Sequence, residues 1–112
     1  MPFDPEIPLC EVEAAPHPFA REIEIVEEME RLLAVSWCKG GEGGSCLIHT
    51  LEKVISFASP EWFIVSGALR VGIPTGMGDT LVDFNDNRRT THSHILALLA
   101  RAKAHFVALS AR

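Results

Sequence analysis

Residues 91–109, T-H-S-H-I-L-A-L-L-A-R-A-K-A-H-F-V-A-L, are the stretch that decides the fold. Apolar side chains recur there every three or four residues, which is the spacing of one face of an α-helix. A threonine at position 90 or 91 is a residue type that caps a helix N-terminus. The main apolar face consists of Ile95, Leu98, Leu99, Ala102, Phe106 and Leu109, and a second apolar side of Leu96, Ala100 and Val107. Because a helix that is apolar on two sides is buried between neighbours or contacts a second subunit, this segment predicts the central helix of a packed domain.

Further helices are predicted upstream by the same apolar spacing, combined with capping residues and prolines at helix starts. Pro18 and Ser45 mark two of these starts, and Ser59-Pro60-Glu61 marks a third. The predicted ranges are about 18–36, 45–58 and 60–71, with a short helix at 80–84 that follows Asp79 as its cap and precedes a turn at 85–87. Residues 62–65 (W-F-I-V) are apolar all round and also fit a buried strand, although the flanking signals favour a helix.

Five prolines lie among residues 2–18, which predicts an extended arm over residues 1–17 instead of a helix. The apolar residues of this arm indicate that it lies along the core or a partner: Phe3, Ile7, Leu9 and Val12. Residues 18–112 are then expected to form a single helical domain. The predicted fold class is mainly α, a compact domain of four to five helices with an extended Pro-rich N-terminal arm.

Composition narrows the class of protein. The chain has 112 residues, of which 47% are hydrophobic, enough for one buried core and too many for a disordered chain. No apolar run approaches the roughly 20 residues of a membrane-spanning helix, and the first residues lack the basic and apolar regions of a signal peptide. We therefore expect no membrane association and a cytoplasmic location. The odd number of cysteines, three, fits reduced thiols.

Charge is distributed unevenly along the chain. Residues 1–30 hold nine acids and one base, whereas the stretch after Asp86 holds five bases and no acid. Four of these bases (Arg88, Arg89, Arg101 and Lys103) are candidates for a nucleic-acid surface, but they lack the density that phosphate binding requires. The pattern favours an acidic first helix packed against a basic last helix, in one chain or across a dimer.

Several polar residues have the spacing of a chemical site. Cys38, Cys46, His49 and a histidine at 92 or 94 could supply four zinc ligands, but the spacing C-x7-C-x2-H matches no standard zinc motif. The alternative for these residues is two buried thiols and exposed histidines. Cys46 alone, in the first turn of a helix with His49 one turn on, has the placement of an activated thiol.

Three other features have both a chemical and a structural explanation. Glu30 falls within or beside the apolar stripe of the first helix, where a carboxylate is costly unless it is paired, so it is a candidate functional group. The acids at 79, 83 and 86 could hold a hard cation, but helix caps and turns explain them equally well. The glycine-rich stretch 40–44 lacks the Gly-Lys-Ser/Thr ending of a phosphate loop.

Four motifs together resemble a family of small bacterial proteins catalogued only as a domain of unknown function. They are W-C-K-G at 37–40, C-L at 46–47, F-N-D at 84–86 and T-x-x-H-I-L-A-L-L at 91–99. The family pattern has Gln where this chain has Lys39, Gly-Ala in place of His49-Thr50, arginine in place of Thr90, and glutamate in place of His94. The last difference removes the usual partner of a capping box, so the reciprocal cap is expected to be lost. The resemblance implies a compact helical domain in which Asn85-Asp86 is a fixed structural or recognition feature, and it names no activity.

The leading interpretation is a non-enzymatic binding or regulatory module that self-associates as a homodimer, with an unknown protein partner and no cofactor. Its candidate functional residues are Glu30, Trp37, Cys46, Asn85 and Asp86. The alternatives are a small metal-binding protein or enzyme built on Cys38, Cys46, Asn85 and Asp86, and a nucleic-acid-binding protein that uses the basic C-terminal helix.

Overall fold

The computed structural model describes residues 18–37, 46–56 and 58–111, and the regular structure in these ranges is five α-helices. They are α1 (Ala20–Ser36), α2 (Leu47–Val54), α3 (Pro60–Val71), α4 (Leu81–Asp86) and α5 (His92–Ser110). The predicted mainly α class with four to five helices is confirmed. Residues 62–65 belong to a helix, which settles the helix-or-strand alternative. The predicted arm at 1–17 lies outside the described residues.

The core is formed where α1 lies antiparallel along α5. At one end of the pair the ring of Phe19 stacks on Phe106 at a centroid distance of 5.5 Å, and at the other His92 Nε2 donates to the Leu33 carbonyl at 2.6 Å. α3 packs against both helices, and α2 packs against α1 and α4. The side chains that fill the core from α1 and α5 are Ile25, Val26, Met29, Leu33, Ile95, Leu98, Leu99, Ala102 and Phe106. The predicted main face of the last helix is therefore the buried face, apart from Leu109 at its end, which is half-buried.

The second apolar side of α5 is less covered than its main face. Leu96 is half-buried, whereas Ala100 and Val107 are exposed. No helix in the described ranges is long and apolar enough to span a bilayer.

α2 differs from its predicted range at both ends. It begins at Leu47 with Cys46 as its N-cap, so the prediction of Ser45 as the cap was wrong. It ends at Val54 instead of Ala58, because the chain becomes extended at Ile55 (φ −152°, ψ 145°). Just before α3, the Ser59 N–H donates to the Ser56 carbonyl at 3.0 Å.

α4 also corrects the sequence prediction. Its N-cap is Thr80, whose hydroxyl accepts from the Asp83 N–H at 3.1 Å, and not Asp79. The predicted turn at 85–87 is wrong, because Asn85 and Asp86 form the last turn of the helix. The chain enters α4 through Gly78 at φ +122°, where a Cβ would lie 2.8 Å from the Phe84 nitrogen, so only glycine fits this approach.

The capping box at the start of α5 is present, contrary to the prediction that it was lost. The Thr91 hydroxyl accepts from the His94 N–H at 3.3 Å, and the Thr91 N–H donates to His94 Nδ1 at 3.0 Å. An imidazole nitrogen with a free lone pair accepts a hydrogen bond as a glutamate oxygen does, so histidine replaces glutamate in the motif.

Candidate functional site

Asn85 joins three separate parts of the chain. Its side chain is 1% exposed. The Oδ1 atom accepts from Trp37 Nε1 at 2.7 Å and from the Leu47 N–H at 3.2 Å, and Nδ2 donates to Asp86 Oδ1 at 3.1 Å. Trp37 is the residue after α1, and Leu47 is the first residue of α2, so one buried amide holds both ends of the connection between these helices.

The Trp37 ring is held from its other side by α5. The imidazole of His92 stacks on it at a centroid distance of 5.6 Å and an interplanar angle of 13°. His92 in turn reaches the Leu33 carbonyl, which is one of the carbonyl groups at the end of α1 that have no partner within the helix. The cluster of Trp37, Asn85, Asp86 and His92 therefore ties the start of α5, the end of α1 and the end of α4 together.

Cys46 lies next to this cluster as the N-cap of α2. Its Sγ accepts from the His49 N–H at 3.4 Å, and its carbonyl accepts from the Thr50 hydroxyl at 2.8 Å. The His49 side chain is exposed on the next turn. The thiol therefore performs the same structural task as a capping serine. Four of the five predicted functional residues are thus brought to one end of the bundle, and all four have structural contacts there.

Glu30 lies elsewhere, between α1 and α5. Its Oε1 accepts from Lys103 Nζ at 2.9 Å, and Glu27 Oε2 is 3.9 Å from the same nitrogen. The hydrogen bond from Lys103 to Glu30 holds the pKa of that ammonium above its ordinary value, with a smaller contribution from the charges of Glu30 and Glu27. The carboxylate that departs from the apolar pattern is therefore paired across the helix interface.

The metal candidates are dispersed in the part of the chain that the structure describes. No three of its His, Cys, Asp or Glu side chains are grouped to hold a metal ion. The predicted cation ligands at 79, 83 and 86 are therefore not grouped as a metal site either. Asp86 Oδ1 accepts instead from Asn85 Nδ2. His94 is engaged in the capping box. Cys38 and the glycine-rich stretch 40–44 lie outside the described residues.

Two of the four bases named for nucleic acid have partners within the fold. Arg101 Nη1 donates to the Gly72 carbonyl at 2.9 Å, and Lys103 pairs with Glu30. Arg88 and Arg89 are exposed in the connection between α4 and α5. The acidic first helix does pack against the basic last helix, as the charge pattern indicated.

The outward side of α3 is an apolar surface that the polar motifs of the sequence do not indicate. Phe63, Ile64 and Val71 are 63%, 41% and 86% exposed, and they surround Gly67 at helical spacing. A methyl group built on Gly67 would have no neighbour within 4 Å. The sequence could have predicted this exposed apolar surface. Residues 62–65 are apolar in every direction around a helix, and a single small domain cannot bury all of them.

Phe63, Ile64, Gly67 and Val71 form a stripe along α3, and two grooves flank this stripe, with Gly67 in the wall of both. The α4-side groove, of about 390 Å³, is lined by Ile48, Trp62, Phe63, Ser66, Gly67, Arg70, Thr80, Leu81 and Val82. The α5-side groove, of about 470 Å³, is lined mainly by Phe19, Ile64, Ala68, Val71, Phe106 and Leu109, with Arg101 and His105. Both grooves are open to solvent and mostly apolar, which is the character of a docking surface.

Comparison with protein-family models, with curated proteins and with solved structures finds no match for this chain. The resemblance to a family of unknown function therefore stays a prediction.

Proposed function

We propose that the protein is a non-catalytic interaction module that self-associates through the α4-side groove and the adjoining stripe of α3. The observation that carries this proposal is the pair of exposed apolar side chains on the two opposite walls of the groove. Phe63 on α3 is 63% exposed and Val82 on α4 is 50% exposed. Apolar groups gathered around a groove gain stability when a partner removes them from water.

A second copy fits this surface because the surface is complementary to itself. In an antiparallel arrangement about Gly67, Phe63 of one copy lies opposite Val71 of the other, and the bare Cα of Gly67 lets the two helices approach closely. Opposite charges also correspond, since Glu61 lies at the first turn of α3 and Arg70 at the last. The antiparallel arrangement brings the Arg70 end of each copy toward the Glu61 end of its partner.

The size of the surface predicts a weak dimer. A stable interface buries about 800 Å² on each partner. α3 has 12 residues and is therefore about 18 Å long. The interface reaches that size only with the contribution of α4. We therefore expect association that depends on concentration, in the micromolar range.

The polar cluster supports a structural role better than a chemical one. The amide of Asn85 and the ring nitrogen of Trp37 are hydrogen-bonded to each other, and Cys46 caps a helix. A catalytic or metal site requires groups that remain available to a substrate or ion. Among the described groups, none supports an enzyme or a metal protein as strongly as the apolar surface supports association.

The proposal is tested by analytical ultracentrifugation of a double variant, Phe63→Gln with Val82→Gln. The matched control is Val35→Gln with Val107→Gln, which changes two exposed valines that line neither groove (85% and 51% exposed). Glutamine is neutral and tolerated in helices, so helix dipoles and propensity affect the two variants alike. We expect the groove variant to raise the dimer dissociation constant at least tenfold and the control to leave it unchanged.

Two results would overturn the proposal. One is a strict monomer for the unmodified chain at high micromolar concentration. The other is a dimer that the control variant dissociates and the groove variant does not, since that would place the interface on another face.

A further inference from the structure

We draw no further inference here: the strongest candidate, the α5-side groove between α3 and α5, has a mostly apolar lining whose arginine, Arg101, already donates to the Gly72 carbonyl, and nothing in the described part of the chain shows what covers it.

Discussion

Asn85 shows how a single residue can look functional in the sequence for a structural reason. An Asn-Asp pair ahead of a helix is common in turns, and the sequence therefore predicted a turn or a recognition feature. In the structure the amide is buried and satisfies two donors that lie far apart in the chain, Trp37 Nε1 and the Leu47 N–H. The tertiary partners explain why the residue remains helical, and no local rule contains that information.

Replacing Asn85 with alanine is expected to lower the free energy of unfolding by about 2–4 kcal/mol, because two donors lose their acceptor in a buried region. Urea denaturation measures this loss. Asn87→Ala is the control, since its Oδ1 accepts from the Arg89 N–H in an exposed turn, and we expect it to cost less than about 1 kcal/mol. Equal losses for the two variants would contradict the role given to Asn85.

At the scale of elements, the sequence predicted most where the signal is local. α3 begins at Pro60, as Ser59-Pro60-Glu61 indicated, because the fixed φ of proline suits the first position of a helix regardless of its surroundings. The Ser59 hydroxyl makes no capping hydrogen bond and donates instead to the Ser56 carbonyl at 2.7 Å. The end of α2 was not predictable in this way. The apolar spacing continues at Ile55 and Ala58, but the helix ends where the backbone becomes extended at Ile55.

The N-terminus of α2 provides a test of whether the Cys46 thiol has a chemical or a capping role. Cys46→Ser should retain or slightly raise the free energy of unfolding, because a hydroxyl oxygen accepts the His49 N–H better than sulfur does. Cys46→Ala should lower it by about 0.5–2 kcal/mol, the usual cost of removing a cap. Thermal and urea unfolding of the three proteins measure these values. If serine proves as costly as alanine, sulfur makes a contact that capping does not describe.

The contact between α1 and α5 includes an ion pair whose effect on stability depends on pH. The hydrogen bond to Glu30 raises the pKa of Lys103 above 10.5, so the folded state holds this proton more tightly than the unfolded chain does. The pair therefore contributes fully below pH 10.5, and its contribution is lost as the pH rises through the higher folded pKa.

Lys103→Met is expected to lower the free energy of unfolding at neutral pH by up to about 1 kcal/mol, since both partners are partly exposed. The difference from the unmodified chain should stay constant between pH 6 and 9 and shrink as the pH rises above the ordinary lysine value of 10.5. Urea midpoints across this range give the profile. Glu30→Gln removes the other partner and should give the same profile. A difference that persists at high pH would mean that Lys103 stabilises the fold through its alkyl chain.

For the whole molecule, the sequence indicated the class and the core but not the surface that remains uncovered. The main apolar face of the last helix was read from spacing, because burial follows the period of the helix. Whether the second side of a helix is covered depends on which neighbours reach it, and this is a property of the assembled fold. The sequence therefore placed the two-sided apolar helix at α5, whereas the structure shows the larger uncovered stripe on α3, with Phe63, Ile64 and Val71.

An uncovered stripe that binds a second copy also links stability to concentration. A dimer stabilises the folded chain by mass action, because the unfolded chain cannot bind, and the melting temperature then rises as the protein is concentrated. For a domain of this size we expect a rise of up to about 4 °C for each tenfold increase in concentration above the dimer dissociation constant. The Phe63→Gln/Val82→Gln variant should begin this rise only at a concentration at least tenfold higher, while the Val35→Gln/Val107→Gln control should show the same rise as the unmodified chain. The change of melting temperature with concentration reports on the stability of the folded chain and not on particle size. If the melting temperature of the unmodified chain did not change with concentration, any association seen by sedimentation would not stabilise the folded chain. That result would argue against α3 as a specific interface.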